Sequence, residues 1–430
     1  MAKKEIEHTS TTLGSQNMKS SQRMVSVVEP YELPEGWKWI SIGECCEKAF
    51  SGKSPKYSKE ETLYKIIGQQ ANQRYGIDLK FVKFGTQEYA EAQADFYYLQ
   101  YNDVILNTLG TGSIGRSGIY KYHEKILTDG HPFVFRTGTK YSPDLLFYYL
   151  RLNEQEIINT ANGSTNQKFL SLKTFSKFPI PLPPTLAEQQ RIVKRIESMF
   201  AKLDEAKEKA QNVIDGFETR KAAILHKTFT NQLKIENGKL KDEDWEETAL
   251  GNVIKLLSGQ DFKPDDYNDS ENGIPYITGA SNFADNHVII NRWTEKPTVI
   301  AQKNDVLLVC KGSGYGKTII ADFSEAHIAR QIMALRPNKD ISNRFIYYLL
   351  QNNYDYLRNG GQGLIPGIAR NVVLSLPIKL PPFNYQLSIV NFLDSVLEKE
   401  NKAKQAAEAV LEQIDLLKKS ILARAFRGEL

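Results

Sequence analysis

The chain has 430 residues, of which 41% are hydrophobic and 25% are charged, a composition typical of soluble globular proteins with two to four domains. Its formal net charge of +4 permits a nucleic-acid partner but does not by itself indicate one. Its three cysteines form no disulfide framework and no zinc-ligand spacing, and no apolar run reaches the ~18 residues of a membrane span, so we expect a cytoplasmic protein without membrane contact.

Residues 1–30 are polar and rich in Ser, Thr and Lys, and we expect a flexible leader there. The rest of the chain is an internal repeat. Residues 224–233 reappear as residues 421–430, and Gln189 matches Gln386, at one constant offset of 197 (430 − 233 and 386 − 189). Further upstream the offset rises by stages to 208. Each half therefore joins a part that tolerates length changes to a part that does not.

The variable parts are residues 31–184 and 234–382. Each contains short β-branched and apolar runs that predict strands, followed by an amphipathic pattern that predicts a helix. The predicted strands are 64–68, 103–107 and 132–136 in the first half, and 274–278, 305–309 and 332–336 in the second; the predicted helices are 143–153 and 343–353. Both parts are therefore expected to be mixed α/β domains.

The parts of constant length are residues 185–233 and 383–430. Each follows a Pro-Pro pair, which blocks helix formation upstream, and each carries apolar residues in steps of four and three, which predict a helix roughly 65 Å long with a pairing seam. We expect the two helices to pair with each other, antiparallel and around a pseudo-twofold axis. The predicted seam residues are Ile192, Ile196, Met199, Leu203, Ala206, Ala210, Val213 and Phe217, and then Ile389, Leu393, Val396, Ala403, Ala407, Val410 and Ile414, with Glu400 interrupting the second set.

Two glycine-rich segments imitate nucleotide-binding loops. Gly110-x-Gly112-x-x-Gly115 matches the dinucleotide fingerprint, but a strand pattern follows it where a helix is required. Residues 312–318 resemble a phosphate-binding loop in which Lys311 replaces the first glycine. We interpret both segments as tight turns between strands that present a basic residue. No Ser/His/Asp, Cys/His or nuclease arrangement is visible, and we expect neither a catalytic site nor a metal site.

Residues 162–193, which read NGSTNQKFLSLKTFSKFPIPLPPTLAEQQRIV, together with residues 420–430, SILARAFRGEL, resemble the specificity subunit of type I restriction–modification systems. The resemblance covers nearly the whole chain, from residue 36 to the end, and its motifs occur twice in the same order. The second copy departs from the pattern at residues 360–366 and 384–388, which puts residue-level correspondence in doubt there.

The resemblance implies an α+β protein with two target-recognition domains, separated by two long antiparallel coiled-coil helices in a pseudo-twofold repeat. The domains would read an asymmetric, bipartite site on double-stranded DNA. The helices would dock two methyltransferase subunits, which hold S-adenosylmethionine and modify adenines, and restriction/translocase subunits would join them. The chain itself would bind no cofactor and catalyse no reaction.

Lys and Arg would contact phosphates, whereas Gln, Asn, Arg, Ser and Thr on loops would read base edges. The predicted DNA-binding residues of the first domain are Lys53, Lys56, Gln69, Gln70, Asn72, Arg74, Thr111, Ser113, Arg116, Thr165, Asn166 and Lys168. Those of the second domain are Gln260, Lys263, Ser281, Asn282, Lys311, Ser313, Tyr315, Lys317, Arg330, Gln331, Gln362 and Arg370.

Two other classes of protein stay open at this point. One is a stand-alone DNA-binding regulator or scaffold with two domains, although no helix-turn-helix pattern is present. The other is an enzyme with an unrecognised site, which the absence of a catalytic set shared by both halves disfavours.

Overall fold

The structure is a computed structural model, and it describes residues 30–110, 112–162, 168–230, 245–284, 287–312, 314–359 and 367–430. The chain divides into two compact units. Unit 1 comprises Met1–Glu205 and Ile414–Leu430, and unit 2 comprises Ala206–Gln413. The predicted leader lies almost entirely outside the described residues.

Unit 1 is a mixed α/β unit. Its strands are β1 (Lys38–Ser41), β2 (Lys48–Ser51), β3 (Lys65–Ile67), β4 (Asn72–Gln73), β5 (Gly76–Ile77), β6 (Lys83–Phe84), β7 (Val104–Leu106), β8 (Ser117–Ile119), β9 (Leu127–Thr128), β10 (Phe133–Arg136) and β11 (Pro179–Leu182). Its helices are α1 (Ile42–Cys45), α2 (Gln87–Glu91), α3 (Pro143–Leu152), α4 (Glu154–Asn159), α5 (Leu172–Phe175) and the first part of α6 (Leu186–Asp215). Short 3-10 turns cover Gln69–Ala71, Leu79–Phe81 and Asp95–Tyr97.

Unit 2 repeats this order. It begins with the end of α6 and continues with α7 (Phe217–Phe229), β12 (Glu246–Ala249), β13 (Ile254–Ser258), β14 (Ile274–Ile277), β15 (Trp293–Thr294), β16 (Ile300–Gln302), β17 (Val306–Val309), β18 (Thr318–Ile320), β19 (Glu325–Ile328), β20 (Ile332–Pro337), α8 (Asn343–Asn352), α9 (Tyr354–Asn359), α10 (Arg370–Leu374), β21 (Pro377–Leu380) and α11 (Phe383–Phe426), whose last turns belong to unit 1. Short 3-10 turns cover Leu250–Asn252, Pro264–Asp266 and Ala280–Asn282.

The central sheets of the two units have the same strand order, β2-β10-β7-β8 in unit 1 and β13-β20-β17-β18 in unit 2. The middle strands read as continuous apolar runs because both of their faces are covered. Val104 and Leu106 enter one hydrophobic core, whereas Ile105 enters another on the opposite face. In β17, Val306 and Leu308 likewise enter one hydrophobic core, whereas Leu307 enters another. The predicted mixed α/β domains and all six predicted strands are confirmed.

A partly buried ion pair clamps the same two strands in each unit. Asp103, just before β7, accepts hydrogen bonds from the Arg136 guanidinium in β10, with the closest N–O distance at 2.7 Å. Asp305 and Arg336 repeat the pair in unit 2 at 2.8 Å. Each carboxylate also accepts a backbone N–H three residues upstream, so its oxygens have the partners that burial requires.

A buried glutamine anchors the start of each long helix to its own unit. The Gln189 Oε1 atom accepts the backbone N–H of Ser142, the N-terminal cap of α3, at 2.7 Å. Gln386 does the same for Ser342, the cap of α8, at 2.8 Å. Both glutamines are at most 1% exposed. Gln189 and Gln386, which match at the constant offset in the sequence, therefore make the same contact in each unit.

Within each unit, segments of α6–α7 and α11 lie antiparallel. In unit 1, Arg191 donates to the backbone carbonyl of Leu430, whereas Asp204 pairs with Lys418. In unit 2, the Lys404 ammonium lies 5.0 Å from the Phe217 ring centre, and Arg220 pairs with Glu400 at 2.8 Å. Glu400, which interrupts the predicted seam, therefore has a partner of opposite charge.

The helix predicted for residues 185–233 differs from the structure at Gly216, where α6 ends and α7 begins. Glycine is the poorest helix former after proline, and the corresponding Gln413 lies inside the unbroken α11. The Arg220 guanidinium donates to the carbonyl oxygen of Val213 at 2.9 Å beside this break.

Most predicted seam residues are buried or half-buried, but Ala403 and Val410 are exposed, so the predicted seam is wrong at these two positions. On α11 the half-buried residues are the next ones in the chain, Lys404 and Leu411. A long lysine side chain can cover an aromatic ring with its methylene groups, so a strict apolar pattern places the seam incorrectly there.

His327 is a core residue of unit 2. Its ring is fully buried, stacks on Phe262 with ring centres 4.1 Å apart, and lies 2.8 Å from the carbonyl oxygen of Gln260 through Nε2. The Nδ1 atom accepts the backbone N–H groups of Thr298 and Val299, so we assign the proton to Nε2. Burial lowers the pKa of His327 below its ordinary value of 6.5.

We predict that Asp305→Asn destabilises unit 2 by about 3 kcal/mol, because it leaves the partly buried Arg336 guanidinium without its counter-charge. Urea denaturation measures the change in the free energy of unfolding. The matched control is Glu247→Gln, which breaks the exposed pair with Lys379 at 3.7 Å and should cost less than about 1 kcal/mol. Equal effects of the two substitutions would contradict the role of the buried pair.

We also predict that unit 2 loses stability as the pH falls. A histidine with a lowered pKa in the folded state binds fewer protons there than in the unfolded state, so its neutral form stabilises the fold above about pH 6.5 and that contribution is lost below it. Thermal unfolding between about pH 7.5 and about pH 5.5 measures this. His327→Gln should reduce the pH-dependent drop, whereas replacement of the exposed His287 should leave it unchanged.

Candidate functional site

A glycine hairpin joins β7 to β8 in unit 1 and β17 to β18 in unit 2. The strands pair antiparallel, with Val104 opposite Ile119 and Val306 opposite Ile320. Gly110 and Gly115 in the first loop have φ values of +91° and +81°, which only glycine adopts readily. A strand follows each loop, so neither forms the helix N-terminus that binds phosphates in nucleotide sites. The predicted tight turns between strands are confirmed.

Three predicted DNA-binding residues of unit 1 instead hold this hairpin together. The Gln69 Oε1 atom accepts the backbone N–H groups of Thr108 and Leu109 at 2.9 and 2.8 Å. Asn72 is 1% exposed and donates to Asn107 Oδ1 and to the carbonyl of Arg116. Arg116 donates to the carbonyls of Asn72 and Gly112. Asn72 is buried and cannot reach a base edge, so the predicted DNA contact is wrong: its amide bonds the Asn107 side chain and one backbone carbonyl of the loop.

The predicted DNA contact of Asn282 in unit 2 is wrong for the same reason. It is fully buried, and its Oδ1 accepts the backbone N–H groups of Thr278 and Gly279 at 3.0 and 3.2 Å. Its Nδ2 atom donates to the carbonyl of Ile289 at 2.8 Å. The side chain closes the turn after β14, and no hydrogen-bonding group is left for DNA.

The other predicted residues divide by exposure. Ser113, Lys168, Tyr315 and Gln331 are half-buried, with Ser113 donating to the Leu109 carbonyl and Tyr315 accepting from Arg358. Exposed members are Lys53, Lys56, Gln70, Arg74, Gln260, Lys263, Ser281, Lys311, Lys317, Arg330 and Arg370. Arg74 pairs with Glu154 at 3.2 Å, and Arg370 donates to Ser258 at 3.0 Å. Thr111, Thr165, Asn166, Ser313 and Gln362 lie outside the described residues.

The turn before β10 in unit 1 and the turn before β20 in unit 2 each lie against the glycine hairpin. The Thr108 hydroxyl donates to the carbonyl of His131, and the Cys310 N–H donates to that of Gln331 at 2.7 Å. On the other side of the hairpin, Leu170 and Ile368 donate backbone N–H groups to residues 108 and 310 at 2.9 and 2.8 Å. The backbone frame is common to both units, and the side chains on it differ.

Sequence reasoning missed His131 at this surface. Its side chain is 57% exposed, and its Nδ1 atom lies 3.4 Å from Asp129 Oδ1. The signal in the sequence is its match to Gln331, a predicted DNA-binding residue, at an offset of 200 (331 − 131).

Within the described ranges, no group of three or more His, Cys, Asp or Glu side chains is arranged to hold a metal ion. Among the helices described there, none is long and apolar enough to cross a membrane.

Comparison with known proteins finds relatives that match most of this chain. The type I restriction enzyme MjaVIII specificity subunit of Methanocaldococcus jannaschii is 26% identical over 427 residues, which cover 93% of this chain and 94% of that protein. The EcoBI specificity subunit of Escherichia coli is 26% identical over 314 residues, 66% of this chain and 65% of that protein.

Solved structures share the fold. The HsdS subunit from Thermoanaerobacter tengcongensis superposes with a TM-score of 0.67 at 23% identity, covering 93% of this chain and 99% of that chain. A chain from a study of assembly and conformational transition in the type I restriction–modification system gives 0.72 at 23% identity, covering 93% and 100%.

The model of the type I restriction modification DNA specificity domain matches twice, at residues 34–215 and 242–413. Each match contains one glycine hairpin with its surrounding turns. Because the two matches together cover well over half of the chain, this protein belongs to the family of type I restriction–modification specificity subunits.

Proposed function

We propose that the two units read two different half-sites of one double-stranded DNA target, and that this chain selects the site without catalysing a reaction. The observation that carries the proposal is the shared frame of the two glycine hairpins with different side chains upon it. His131 and Gln331 occupy equivalent positions on this frame, as do Leu109 and Lys311. Two similar DNA-binding surfaces with different side chains suit a DNA target whose two half-sites differ in sequence.

Affinity in this proposal comes from exposed basic side chains around each hairpin. In unit 1, Lys53 and Lys56 follow β2, and Lys53 lies beside Gly130 of the turn before β10; in unit 2, Lys311 and Lys317 lie within the hairpin. Lysine contacts to phosphates release counterions, so binding should weaken steeply with salt. Such contacts position the protein on the duplex, while base contacts supply the sequence preference.

Methylation in this proposal belongs to partner subunits. Two adenine methyltransferase subunits would bind this chain and carry S-adenosylmethionine, and restriction/translocase subunits would join through them. Support comes from the glycine loops, which continue into β8 and β18 and so offer no helix N-terminus to a nucleotide-like cofactor.

The helices α6–α7 and α11 would act as a coiled-coil spacer with pseudo-twofold symmetry, and their length would set the distance between the half-sites. Supporting this, α6 and α11 each pass from one unit into the other, and the pairing contacts within each unit have the antiparallel order. The proposed domains are residues 31–184 and 234–382, with residues 185–233 and 383–430 as spacers.

The first test compares this chain alone, a cognate adenine methyltransferase subunit alone, and the two together. Single-molecule sequencing of genomic DNA after incubation measures N6-methyladenine. We predict methylation only with both proteins, at one asymmetric motif made of two parts. Methylation by this chain alone, or failure of the two proteins to form a complex, would overturn the proposal. Specific DNA binding without any partner would instead favour a stand-alone regulator.

The second test lengthens the spacer by seven residues in both helices, after Glu205 and after Gln413, where the units divide. Seven helical residues add ~10 Å, which corresponds to roughly three base pairs. We predict that the gap between the half-sites grows by that amount while both half-site sequences stay the same. The matched control carries seven extra residues in the segment 231–244. An unchanged gap in the lengthened spacer would refute the ruler role.

A further inference from the structure

We propose that Arg330 reads a guanine in the half-site of unit 2, and that Asp261 is the positioning residue that holds its guanidinium for this contact. The inference rests on the proposed function, because it assigns one base to one half-site. It is carried by a rigid turn, by the geometry of the Asp–Arg pair and by a comparison with unit 1.

Arg330 lies in the tight turn between β19 and β20. The N–H of Ile332 donates to the carbonyl of Ala329 at 2.9 Å, which closes the turn around Arg330 and Gln331. On one side, a Cβ atom at Gly259 would collide with the Ala329 carbonyl, so the backbones are in direct contact there. On the other side, Cys310 of the glycine hairpin donates to Gln331. The base of the Arg330 side chain is therefore held from both sides.

Asp261 binds Arg330 twice. Its Oδ2 atom lies 2.6 Å from the guanidinium Nε, and its Oδ1 atom accepts the Arg330 backbone N–H at 3.1 Å. The arginine side chain nevertheless stays 66% exposed. Since Asp261 uses Nε, the two terminal amino groups remain available. These two parallel donors match the O6 and N7 acceptors that guanine presents in the major groove.

Stability alone does not explain this pair. Exposed ion pairs contribute about 0–1 kcal/mol, and backbone hydrogen bonds already close the turn. A carboxylate next to a DNA-facing arginine also repels phosphate, so a residue that only contacted the backbone would bind more strongly without it. A guanidinium that must meet one base edge instead benefits from a fixed orientation.

Unit 1 has a similar close approach of backbones without the pair. A Cβ atom at Gly52 would collide with the carbonyls of Thr128 and Asp129, as one at Gly259 would with those of Ile328 and Ala329. Two residues after these glycines, Ser54 occupies the position of Asp261; one residue after Asp129 and Ala329, Gly130 occupies that of Arg330. The acid and the arginine are thus present together in one unit and absent together from the other. The guanine contact should belong to the half-site of unit 2 alone.

The test measures binding of the complex of this chain and its methyltransferase subunits to a randomised DNA library, with sequencing of the bound fraction. For Arg330→Ala we expect the preference for guanine at one position of one half-site to fall by roughly 5- to 150-fold, the range of a good bidentate contact. Preferences at all other positions should stay unchanged. Arg330→Lys keeps the charge but lacks the planar pair of donors that Asp261 holds in place, and should lose part of the same preference.

Asp261→Ala should lower the preference at that same position by a smaller factor. The control is Lys263→Ala, at an exposed residue nearby, which should weaken all sequences about equally. Thermal unfolding of each variant shows that it is folded. Uniform weakening by Arg330→Ala would mark a phosphate contact and overturn the inference, as would an unchanged preference in both Arg330 variants. A wild-type complex without any sequence preference would instead overturn the proposed function.

Discussion

The buried amide near the start of each long helix is the contact on which the rest of the structure depends. Gln189 and Gln386 each tie a helix to the capping residue of a helix in the globular part. A buried amide needs its hydrogen-bond partners, so the helix can neither slide nor rotate freely at this point. The far ends are fixed too: Phe426 contacts Tyr149 in unit 1, and Phe229 contacts Phe345 in unit 2. With both ends of each helix docked, an insertion or deletion in one helix that the other helix does not match would break one joint. This accounts for a constant repeat offset over the helices and a drifting offset elsewhere.

The central sheet makes the globular part of each unit equally rigid. Alternate residues of β7 and β17 enter cores on opposite faces, and an Asp–Arg pair ties each strand to its neighbour. The glycine hairpin extends from this support, and the adjoining turn is held against it by a hydrogen bond from the Thr108 hydroxyl in unit 1 and from the Cys310 N–H in unit 2. Side chains on the hairpin and the turn can therefore change without disturbing the fold. That separation between frame and side chains is what a specificity subunit needs in order to acquire a new target.

The sequence predicted the architecture well because the relevant signals are local or periodic. The repeat located both units, and apolar runs located β3, β7 and β10 and their counterparts to within about a residue. Glycine spacing together with the following strand pattern excluded a nucleotide-binding loop. The helix break at Gly216 also had a local signal, since glycine interrupts helices, but the heptad pattern on both sides concealed it.

The candidate site was harder to predict, because exposure depends on partners distant in the chain. Asn72 and Asn282 have the side chains of base-reading residues, yet each is buried and bonds groups of its own loop. The apolar pattern predicts that Ala403 and Val410 are buried. In the structure the neighbouring Lys404 faces the partner helix instead, with its ammonium over the Phe217 ring. The contact between Arg330 and Asp261 joins residues that are 69 positions apart, so the sequence alone does not show it.

The sequence by itself determined the duplication, the type of each domain, the family and the strict length of the helices, since these follow from residue order and periodicity. Only the tertiary structure decided which polar side chains hold the frame and which point outward, because that choice depends on hydrogen-bond partners brought together by folding.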